Sequence, residues 1–377
     1  MEVEIEASEM EVEEQQPIPS STKKFGLKDY IQTNYGDDYV FQIVPTDDWT
    51  SMAVSLSTNA VKLYSPMTGQ YFGECKGHSS TINHISFSGG SNQHVLHSCS
   101  SDGTIRAWDT RTFQQVFRFS FGGSDDNLLA AGCQSQILFW DWRNKKQVAC
   151  LEESHVDDVT QVHFVPNHQN KLASASADGL ICIFDTNGDI NDDDHLESVI
   201  NVGTSIAKVG VFGDSYEKLW CLTNIETLSV WDWKEGTNEA NFEEARSLAS
   251  ESWTLDHVDY FVDCHSSGGD NLWVIGGTNA GSIGYFPVKY KGTAMIGPPE
   301  AVLGGGHMGV VRSILPMPSM QSGTAQGLFG WTGGEDGRLC CWKGDDSPVI
   351  SRSWISSTST LALKVPRNRK NSRRCPY

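Results

Sequence analysis

One short pattern recurs along the chain: a small turn, then an aliphatic residue, then an aromatic residue three positions later. It occurs seven times, at Val61/Tyr64, Ile105/Trp108, Ile137/Trp140, Ile181/Phe184, Leu228/Trp231, Ile283/Phe286 and Leu339/Trp342. The aromatic positions are separated by 44, 32, 44, 47, 55 and 56 residues, and a repeat of roughly 40 to 45 residues is typical of a four-stranded propeller blade. A chain of 377 residues would ordinarily suggest two or three domains. The seven copies predict seven repeated blades instead.

The clearest copy spans residues 77–109. Three apolar runs are separated there by turns rich in Gly, Ser, Asn and Asp, which predicts three consecutive strands. Asp102-Gly103 is a tight hairpin signal, because glycine adopts a positive φ without steric cost. The same frame returns after His155 and after His307. With 12 Trp and 36 Gly, the composition also favours an all-β, turn-rich protein.

These segments resemble the WD-repeat family. The resemblance is carried by Gly77-His78 with Trp108-Asp109, by His155 with Phe184-Asp185, and by Gly306-His307 with Trp342-Lys343. It covers nearly the whole body of the chain, although blades one, five and six are degenerate. It implies a closed seven-bladed β-propeller. It also implies that a His, a Ser or Thr, an Asp and a Trp form a buried hydrogen-bonded chain, which we call the staple of a blade.

The resemblance assigns staple residues in three blades. They are His78, Ser100, Asp102 and Trp108 in blade two, His155, Ser176 and Asp178 in blade four, and His307, Asp336 and Trp342 in blade seven. Blade four has Phe184 at the Trp position, which removes the indole N–H donor. Blade seven has Gly334 where the hydroxyl is expected. Blade two should therefore be the most rigid.

The two ends of the chain differ from its body. Residues 1–14 carry seven Glu and no base, whereas residues 364–374 carry six bases and no acid. Neither end has the apolar periodicity needed to offset the entropy of ordering. We therefore expect disordered tails at 1–24 and 363–377 around a propeller at 25–362. The extended runs 39–44 and 349–354 are candidates for the strands that close the ring.

The net charge of −19 belongs to the body, because residues 15–363 keep −18 when the acidic run 1–14 and the basic end from 364 are set aside. Such a surface repels phosphate backbones and anionic lipid heads, so nucleic acid binding is expected only through the basic tail. No apolar stretch approaches the roughly 18 to 20 residues of a spanning helix, and the acidic N-terminus is unlike a secretory signal. We therefore expect an intracellular protein of the nucleus or cytoplasm, monomeric within a larger complex.

No pattern supports catalysis, a cofactor or a metal site. Residues 304–309 fit G-x-G-x-x-G, but a dinucleotide site needs a helix directly after the glycines, and two prolines follow instead. No frame of the acidic segment beginning at Asp185 matches a calcium loop. His84, His94 and His97 lack the spacing of a zinc site. The sequence therefore predicts a protein that is not an enzyme.

Two consecutive blades carry W-D-x-R at the end of the third strand, at Trp108-Asp109-Thr110-Arg111 and Trp140-Asp141-Trp142-Arg143. The surrounding segments resemble the box of WD-repeat substrate receptors of cullin-RING ubiquitin ligases, where paired copies contact the ligase's propeller adaptor. That resemblance implies adaptor contacts through Arg111 and Arg143, since Arg forms bidentate hydrogen bonds across interfaces. Gln134 replaces the Asp102 of the first box, which predicts a looser turn. The alternative is that W-D-x-R simply suits this turn.

Partner binding elsewhere is predicted on the opposite, narrower face, which is formed by the segments after each Gly-His and by the tight Asp turns. Asp157, Asp158, Arg312 and Glu335 are expected to lie on it. Their mostly negative sign predicts a basic peptide or protein ligand whose association weakens as salt rises. The alternative is that Asp157 and Asp158 only solvate a loop.

The basic tail fits a nuclear-import signal or a short nucleic-acid clamp, with a solvated terminus as the alternative. Its bases are Lys364, Arg367, Arg369, Lys370, Arg373 and Arg374. The first hypothesis for function is a non-enzymatic interaction scaffold, with a role as a cullin-RING substrate receptor through the two boxes. The alternative is a nuclear or nucleolar assembly scaffold for ribonucleoprotein or chromatin complexes.

Overall fold

The computed structural model describes residues 23–33, 38–89, 92–117, 128–141, 146–168, 170–187, 190, 195–254, 256–266, 268–316 and 328–344. Within them the chain forms 28 β-strands and one short helix, α1 (Ala245–Ser252). In this part of the chain, no helix is long and apolar enough to cross a membrane.

The strands form seven blades that follow one another along the chain, and the neighbouring strands within each blade pair antiparallel. Blade one contains β2 (Val40–Pro45), β3 (Met52–Leu56), β4 (Ala60–Tyr64) and β5 (Tyr71–Lys76). Blade two contains β6 (Ile82–Phe87), β7 (Val95–Ser100), β8 (Thr104–Asp109) and β9 (Gln114–Phe117). Blade three contains β10 (Leu128–Cys133), β11 (Gln136–Asp141) and β12 (Lys146–Leu151), and the residues 118–127 that precede it lie outside the described part.

The other four blades follow the same order. Blade four contains β13 (Val159–Phe164), β14 (Lys171–Ser176), β15 (Leu180–Asp185) and β16 (Leu196–Asn201). Blade five contains β17 (Ile206–Phe212), β18 (Lys218–Thr223), β19 (Leu228–Asp232) and β20 (Thr237–Phe242). Blade six contains β21 (Tyr260–His265), β22 (Leu272–Gly277), β23 (Ile283–Lys289) and a fourth strand split into β24 (Met295–Ile296) and β25 (Ala301–Leu303). Blade seven contains β26 (Val311–Pro316), β27 (Leu328–Gly334), β28 (Arg338–Gly344) and, outermost, β1 (Lys23–Gln32).

The aliphatic and aromatic pair lies on the third strand of six blades, as the sequence predicts, and on β11 of blade three, which is the second of the three strands described there. These aromatic side chains are deeply buried in most blades, for example Trp108, Phe286 and Trp342. All five residues of β3 are buried, because neighbouring blades cover both faces of the sheet. The apolar core therefore consists of layers between adjacent blades, as where Met52 of blade one packs with Trp331 of blade seven. The prediction of an all-β, seven-bladed propeller is confirmed.

The ring closes through the N-terminal strand, which corrects the expectation from the sequence. β1 pairs antiparallel with β28, from Phe25 opposite Gly344 to Gln32 opposite Arg338, and three of its residues pair parallel with β25. Blades six and seven thereby share one nine-stranded sheet. The run 39–44 falls instead on the inner strand β2, which packs against β26 and β6, and the run 349–354 lies outside the described residues.

Polar side chains tie the inner part of one blade to the next, and we call these hydrogen bonds latches. In each latch a side-chain oxygen accepts the backbone N–H of an inner strand, at distances of 2.6 to 3.0 Å. Five latches occur in the described part: Ser313 to Ile43, Gln42 to Ile85, Gln161 to Val209, Glu226 to Phe261 and Tyr260 to Val311. An inner strand has no neighbouring strand towards the channel, so the latches satisfy N–H groups that the sheets leave unpaired.

Candidate functional site

The staple of blade two is a chain of four side chains. The Trp108 indole N–H donates to Ser98 Oγ at 2.8 Å, Ser98 Oγ lies 2.7 Å from His78 Nε2, and His78 Nδ1 lies 3.0 Å from Asp102 Oδ2. An ionised carboxylate only accepts hydrogen bonds, so His78 Nδ1 carries the proton and the Ser98 hydroxyl donates to Nε2. The chain thus runs from indole to carboxylate with each donor matched to an acceptor.

The linking hydroxyl belongs to Ser98 and not to Ser100, which corrects the assignment from the sequence. The Ser100 hydroxyl instead donates to the Ser80 carbonyl at 2.9 Å and accepts the Asp102 N–H at 3.1 Å, so it fixes the turn. Residues two apart on a strand share a face, and the two serines therefore fit the same sequence pattern. The two serines are distinguished only by which hydroxyl the Trp108 indole N–H can reach, and this is Ser98.

The same correction applies in blades four and seven. In blade four, Ser174 Oγ and not Ser176 lies 2.7 Å from His155 Nε2, while Phe184 occupies the Trp position without a donor. In blade seven, Thr332 Oγ1 lies 2.7 Å from both His307 Nε2 and Trp342 Nε1. Gly334 therefore leaves no gap, and blade seven has a complete staple like that of blade two.

Each staple Asp also holds the segment that enters its blade. Asp102 accepts the N–H of Ser79, Asp178 that of Val156 and Asp336 that of Met308, at 2.9 to 3.0 Å. The residue held in this way directly follows the staple His, and its side chain faces solvent. Val156 is 89% exposed and Met308 70% exposed. The staples of blades four and seven therefore present apolar side chains at one end of the propeller, whereas that of blade two presents Ser79.

The protonation of the staples suits a structural role. Burial lowers the pKa of His78, and the hydrogen bond to Asp102 opposes this shift only in part. Burial by itself would raise the pKa of Asp102, but hydrogen bonds from Thr104, Ser79 and His78 outweigh it and hold that pKa below its usual range. Within the described residues, no group of three or more metal-ligating side chains occurs.

Arg111 of the first W-D-x-R box forms an ion pair with Asp109 of the same box. Arg111 Nε donates to Asp109 Oδ1 at 2.9 Å and Nη2 to Oδ2 at 2.6 Å, while the Arg111 side chain stays 65% exposed. This pair lies at the end of the propeller formed by the loops between first and second strands and between third and fourth strands, which we call the rim face.

Blades four and five give the corresponding Asp a different partner. Lys171 Nζ lies 2.9 Å from Asp185, and Lys218 Nζ lies 2.9 Å from Asp232. Each lysine is on the second strand of its blade, directly opposite the Asp on the third strand. The residue opposite Asp109 is Val95. Arg111 thus supplies from the turn the positive charge that a second-strand Lys supplies elsewhere.

The second box is not a copy of the first. In blade two Leu96 pairs with Trp108, and five other blades have the same separation along the chain between the aromatic residue and its partner. In blade three Leu129 pairs with Trp140, so this separation is one residue shorter. The turn of blade three is the two-residue Gln134-Ser135, with Gln134 at φ 54°. It is one residue shorter than the turn of blade two, which spans Ser101 to Gly103. Trp142 and Arg143 lie outside the described residues.

The opposite end of the propeller, which we call the loop face, is formed by the segments entering the inner strands and by the turns between second and third strands. Asp157 and Asp158 lie there, exposed, in the segment before β13. Arg312 and Glu335 also lie there but neutralise each other, with Arg312 Nε donating to Glu335 Oε1 at 2.7 Å. Their net contribution to the charge of the loop face is therefore nil.

Residues 152–158 bring a group of exposed acids to this end. Glu152, Glu153, Asp157 and Asp158 are all exposed, and none of them forms an ion pair with another described residue. They flank Val156. The sequence analysis names only two of these four acids, although the run Glu-Glu-Ser-His-Val-Asp-Asp is visible in the chain. The six bases of the C-terminal tail all lie outside the described residues.

A seven-bladed ring with His-Ser/Thr-Asp-Trp staples defines a WD-type β-propeller. The family model of the WD domain, G-beta repeat, matches residues 69–109 and 145–185. The chain is 66% identical to WD repeat-containing protein GTS1 of Arabidopsis thaliana, over all of this chain and 98% of the relative. The chain therefore belongs to the WD-repeat family.

Three further relatives have lower identity to this chain. A WD repeat-containing protein 89 homolog of Dictyostelium discoideum is 29% identical over 91% of this chain and 93% of the relative. Two partial matches are a DDB1- and CUL4-associated factor 11 homolog of Caenorhabditis elegans, at 24% over 37% of this chain and 24% of the relative, and a ribosome biogenesis protein WDR12 homolog of Ixodes scapularis, at 25% over 32% of each.

Proposed function

We propose that this chain is a non-enzymatic interaction scaffold whose loop face binds a basic segment of a partner protein. The observation that supports this function is the segment 152–158, with four exposed carboxylates and the 89% exposed side chain of Val156. Unpaired carboxylates attract Lys and Arg, and an exposed aliphatic side chain gives an apolar contact that burial strengthens. A basic segment with one apolar residue would match this surface.

The test compares two neutralised variants in affinity purification of the tagged full chain. Asp157→Asn/Asp158→Asn should lose the partners that wild type retains, and the retained fraction in wild type should fall as salt rises from about 0.05 to about 0.3 M, because exposed charges are screened. The matched control Asp47→Asn/Glu235→Gln removes two exposed acids at the rim face. Equal partner recovery from both variants and wild type would contradict the proposal.

A second function, as substrate receptor of a cullin-RING ligase, is favoured by the exposed Arg111 on the rim face and by the partial likeness to a DDB1- and CUL4-associated factor homolog. Its difficulty is that Arg111 already neutralises Asp109. Loss of adaptor binding in Arg111→Ala would therefore have two explanations, a lost contact or a loosened turn.

The double variant Val95→Lys/Arg111→Ala separates them, because the lysine introduced at position 95 would stand across from Asp109 as Lys171 stands across from Asp185. If Arg111 binds the adaptor, purified adaptor should bind wild type, and the double variant should fold normally yet fail to bind. Arg143→Ala tests the second box. Binding that survives in all variants, or is absent from wild type, would refute the receptor function.

A third function, as a nuclear scaffold for ribonucleoprotein or chromatin complexes, is supported by the basic tail and the partial likeness to a ribosome biogenesis protein. Recovery of pre-ribosomal or chromatin proteins with the tagged chain would favour it. Deleting residues 364–377 and imaging the protein tests nuclear import, since unchanged nuclear localisation would refute the signal.

A further inference from the structure

We propose that the basic tail of this chain, residues 364–374, docks on its own loop face and competes there with the basic partner segment. This inference rests on the proposed function and adds a regulator of the same surface. The tail would occupy the segment 152–158 in the free protein, and a partner would have to displace it.

The receiving surface is an apolar side chain set among unpaired charges. Val156 projects from the loop because its backbone N–H is fixed by Asp178 at 3.0 Å. No Lys or Arg occurs between Lys146 and Lys171, and no base among the described residues forms an ion pair with the four carboxylates of residues 152–158. A ligand for this surface must therefore bring its own positive charge.

The tail has the complementary charge. Residues 364–374 carry six bases and no acid, and Val365 lies next to the first base. No other run of eleven residues in the sequence carries six bases and no acid. Within the chain, this segment is thus the best electrostatic match for residues 152–158.

The connection is long enough. Gly344 ends β28 at the rim face, and 20 residues lead from there to Lys364. They span up to roughly 70 Å when extended. A six-residue strand is about 20 Å long, and two opposed four-stranded sheets are together about 30 Å wide, so the tail can pass from the rim face to blade four.

Tethering would make a weak contact effective. A segment on a flexible linker has an effective concentration on the order of 1 mM. If the separate segment bound with a Kd of about 100 µM, the tethered tail would weaken a competing basic ligand by about tenfold. Such competition would favour partners with more charge or more apolar contact than the tail itself.

The test measures fluorescence anisotropy of a labelled peptide with the sequence of residues 364–374. The proteins are the full chain, the chain ending at residue 363, and the shortened chain with Asp157→Lys/Asp158→Lys or with the control Asp47→Lys/Glu235→Lys. We expect the shortened chain and its control to bind the peptide, the full chain to bind it about five- to tenfold more weakly, and the loop-face variant not to bind.

The two ideas fail in different ways. Equal binding by the full and shortened chains would overturn self-docking while leaving the loop face as a basic-segment site. If the shortened chain with Asp47→Lys/Glu235→Lys also failed to bind the peptide, the contact would not be specific to the loop face. That result would overturn self-docking. Absence of binding by every protein at about 0.05 M salt would overturn both self-docking and the proposed function. For the proteins that bind the peptide, we expect its anisotropy to fall to the unbound value above about 0.5 M salt. At that concentration salt screens nearly all of the attraction between the bases of the peptide and the carboxylates.

Discussion

At the scale of single residues, the sequence identifies three of the four staple side chains of blade two, His78, Asp102 and Trp108. It misplaces the fourth, because Ser98 and Ser100 lie on the same face of β7. The register resolves the choice: Trp108 stands opposite Leu96, and the next residue on that face of β7 is Ser98. In these three blades the linking hydroxyl on the second strand precedes the residue at the Trp position by the same number of residues. A prediction that used this constant separation would have found Ser98, Ser174 and Thr332 together.

Replacing Ser98 should cost more stability than replacing Ser174. Ser98→Ala leaves both the buried Trp108 indole and His78 Nε2 without a partner, whereas Ser174→Ala leaves only His155 Nε2. We expect a loss of about 2 to 4 kcal/mol for Ser98→Ala and about 1 to 2 kcal/mol for Ser174→Ala. Urea denaturation of the two variants and of wild type measures both losses. Equal losses would contradict the two-partner role of Ser98.

Acidification should weaken the staple. The pKa of His78 is lowered in the folded protein, so its contribution is complete above the unfolded value of about 6.5 and is lost as the pH falls below that value. Burial also lowers the pKa of His97 to about 4, which adds to the same trend. The free energy of unfolding, measured in urea from about pH 7.5 to 5, should therefore fall with pH, by at most about 1.4 kcal/mol per pH unit for each proton taken up.

His78→Asn isolates the contribution of the staple. This variant should be less stable than wild type at about pH 7.5, but its stability should fall less steeply between about pH 6.5 and 5. Parallel curves for the two proteins would show that His78 does not contribute to the pH dependence.

At the scale of strands, the third strand of each blade is predictable because its pattern is local. The latches are not predictable, because the two residues that each latch joins are far apart in the chain. The separation is 35 to 51 residues in four latches and longer in the fifth. Gln42, Gln161 and Ser313 share one position in the inner strand, each opposite the end of the second strand at a bulge. A polar residue there in an otherwise apolar strand is the signal that sequence reasoning missed. The one-residue slip in blade three was equally hidden, since Leu128 and Leu129 are both apolar and either fits the pattern.

Removing one latch should destabilise the ring without changing its fold. Gln161→Ala leaves the Val209 N–H unpaired between blades four and five, and we expect a loss of about 1 to 3 kcal/mol. The control Gln147→Ala removes an exposed Gln from β12 and should change stability by less than about 0.5 kcal/mol. Thermal unfolding of both variants measures the difference, and equal melting temperatures would argue against the latch.

At the scale of the whole molecule, the least predictable element is the closing strand. Nothing within residues 23–32 indicates a partner about 310 residues later, and the pairing depends on the ring being complete. β1 contributes Phe25 to the core shared by blades six and seven, and Ile31 to the core shared by blades seven and one. Thr33 continues the contact by donating both its N–H and its hydroxyl to the Gly337 carbonyl. One strand thus holds three blades together.

Shortening the N-terminus tests this role. A chain that begins at Lys23 should melt like the full chain, whereas a chain that begins at residue 34 should lose about 4 kcal/mol or more from the burial of Phe25, Leu27 and Ile31, a fall of roughly 10 °C or more. Adding a peptide of residues 23–33 should restore part of the loss. A chain beginning at residue 34 that melts at the full-chain temperature would show that β1 is dispensable.

The position of β1 also sets an order of events during synthesis. β1 leaves the ribosome about 300 residues before its main partner, β28, and this interval lasts about 15 to 60 s at usual elongation rates. During that interval β1 is a strand with an apolar face and unpaired backbone groups, open to pairing with the wrong chain. Newly made molecules should therefore depend on chaperones, or on slow translation of early blades, far more than the finished ring does.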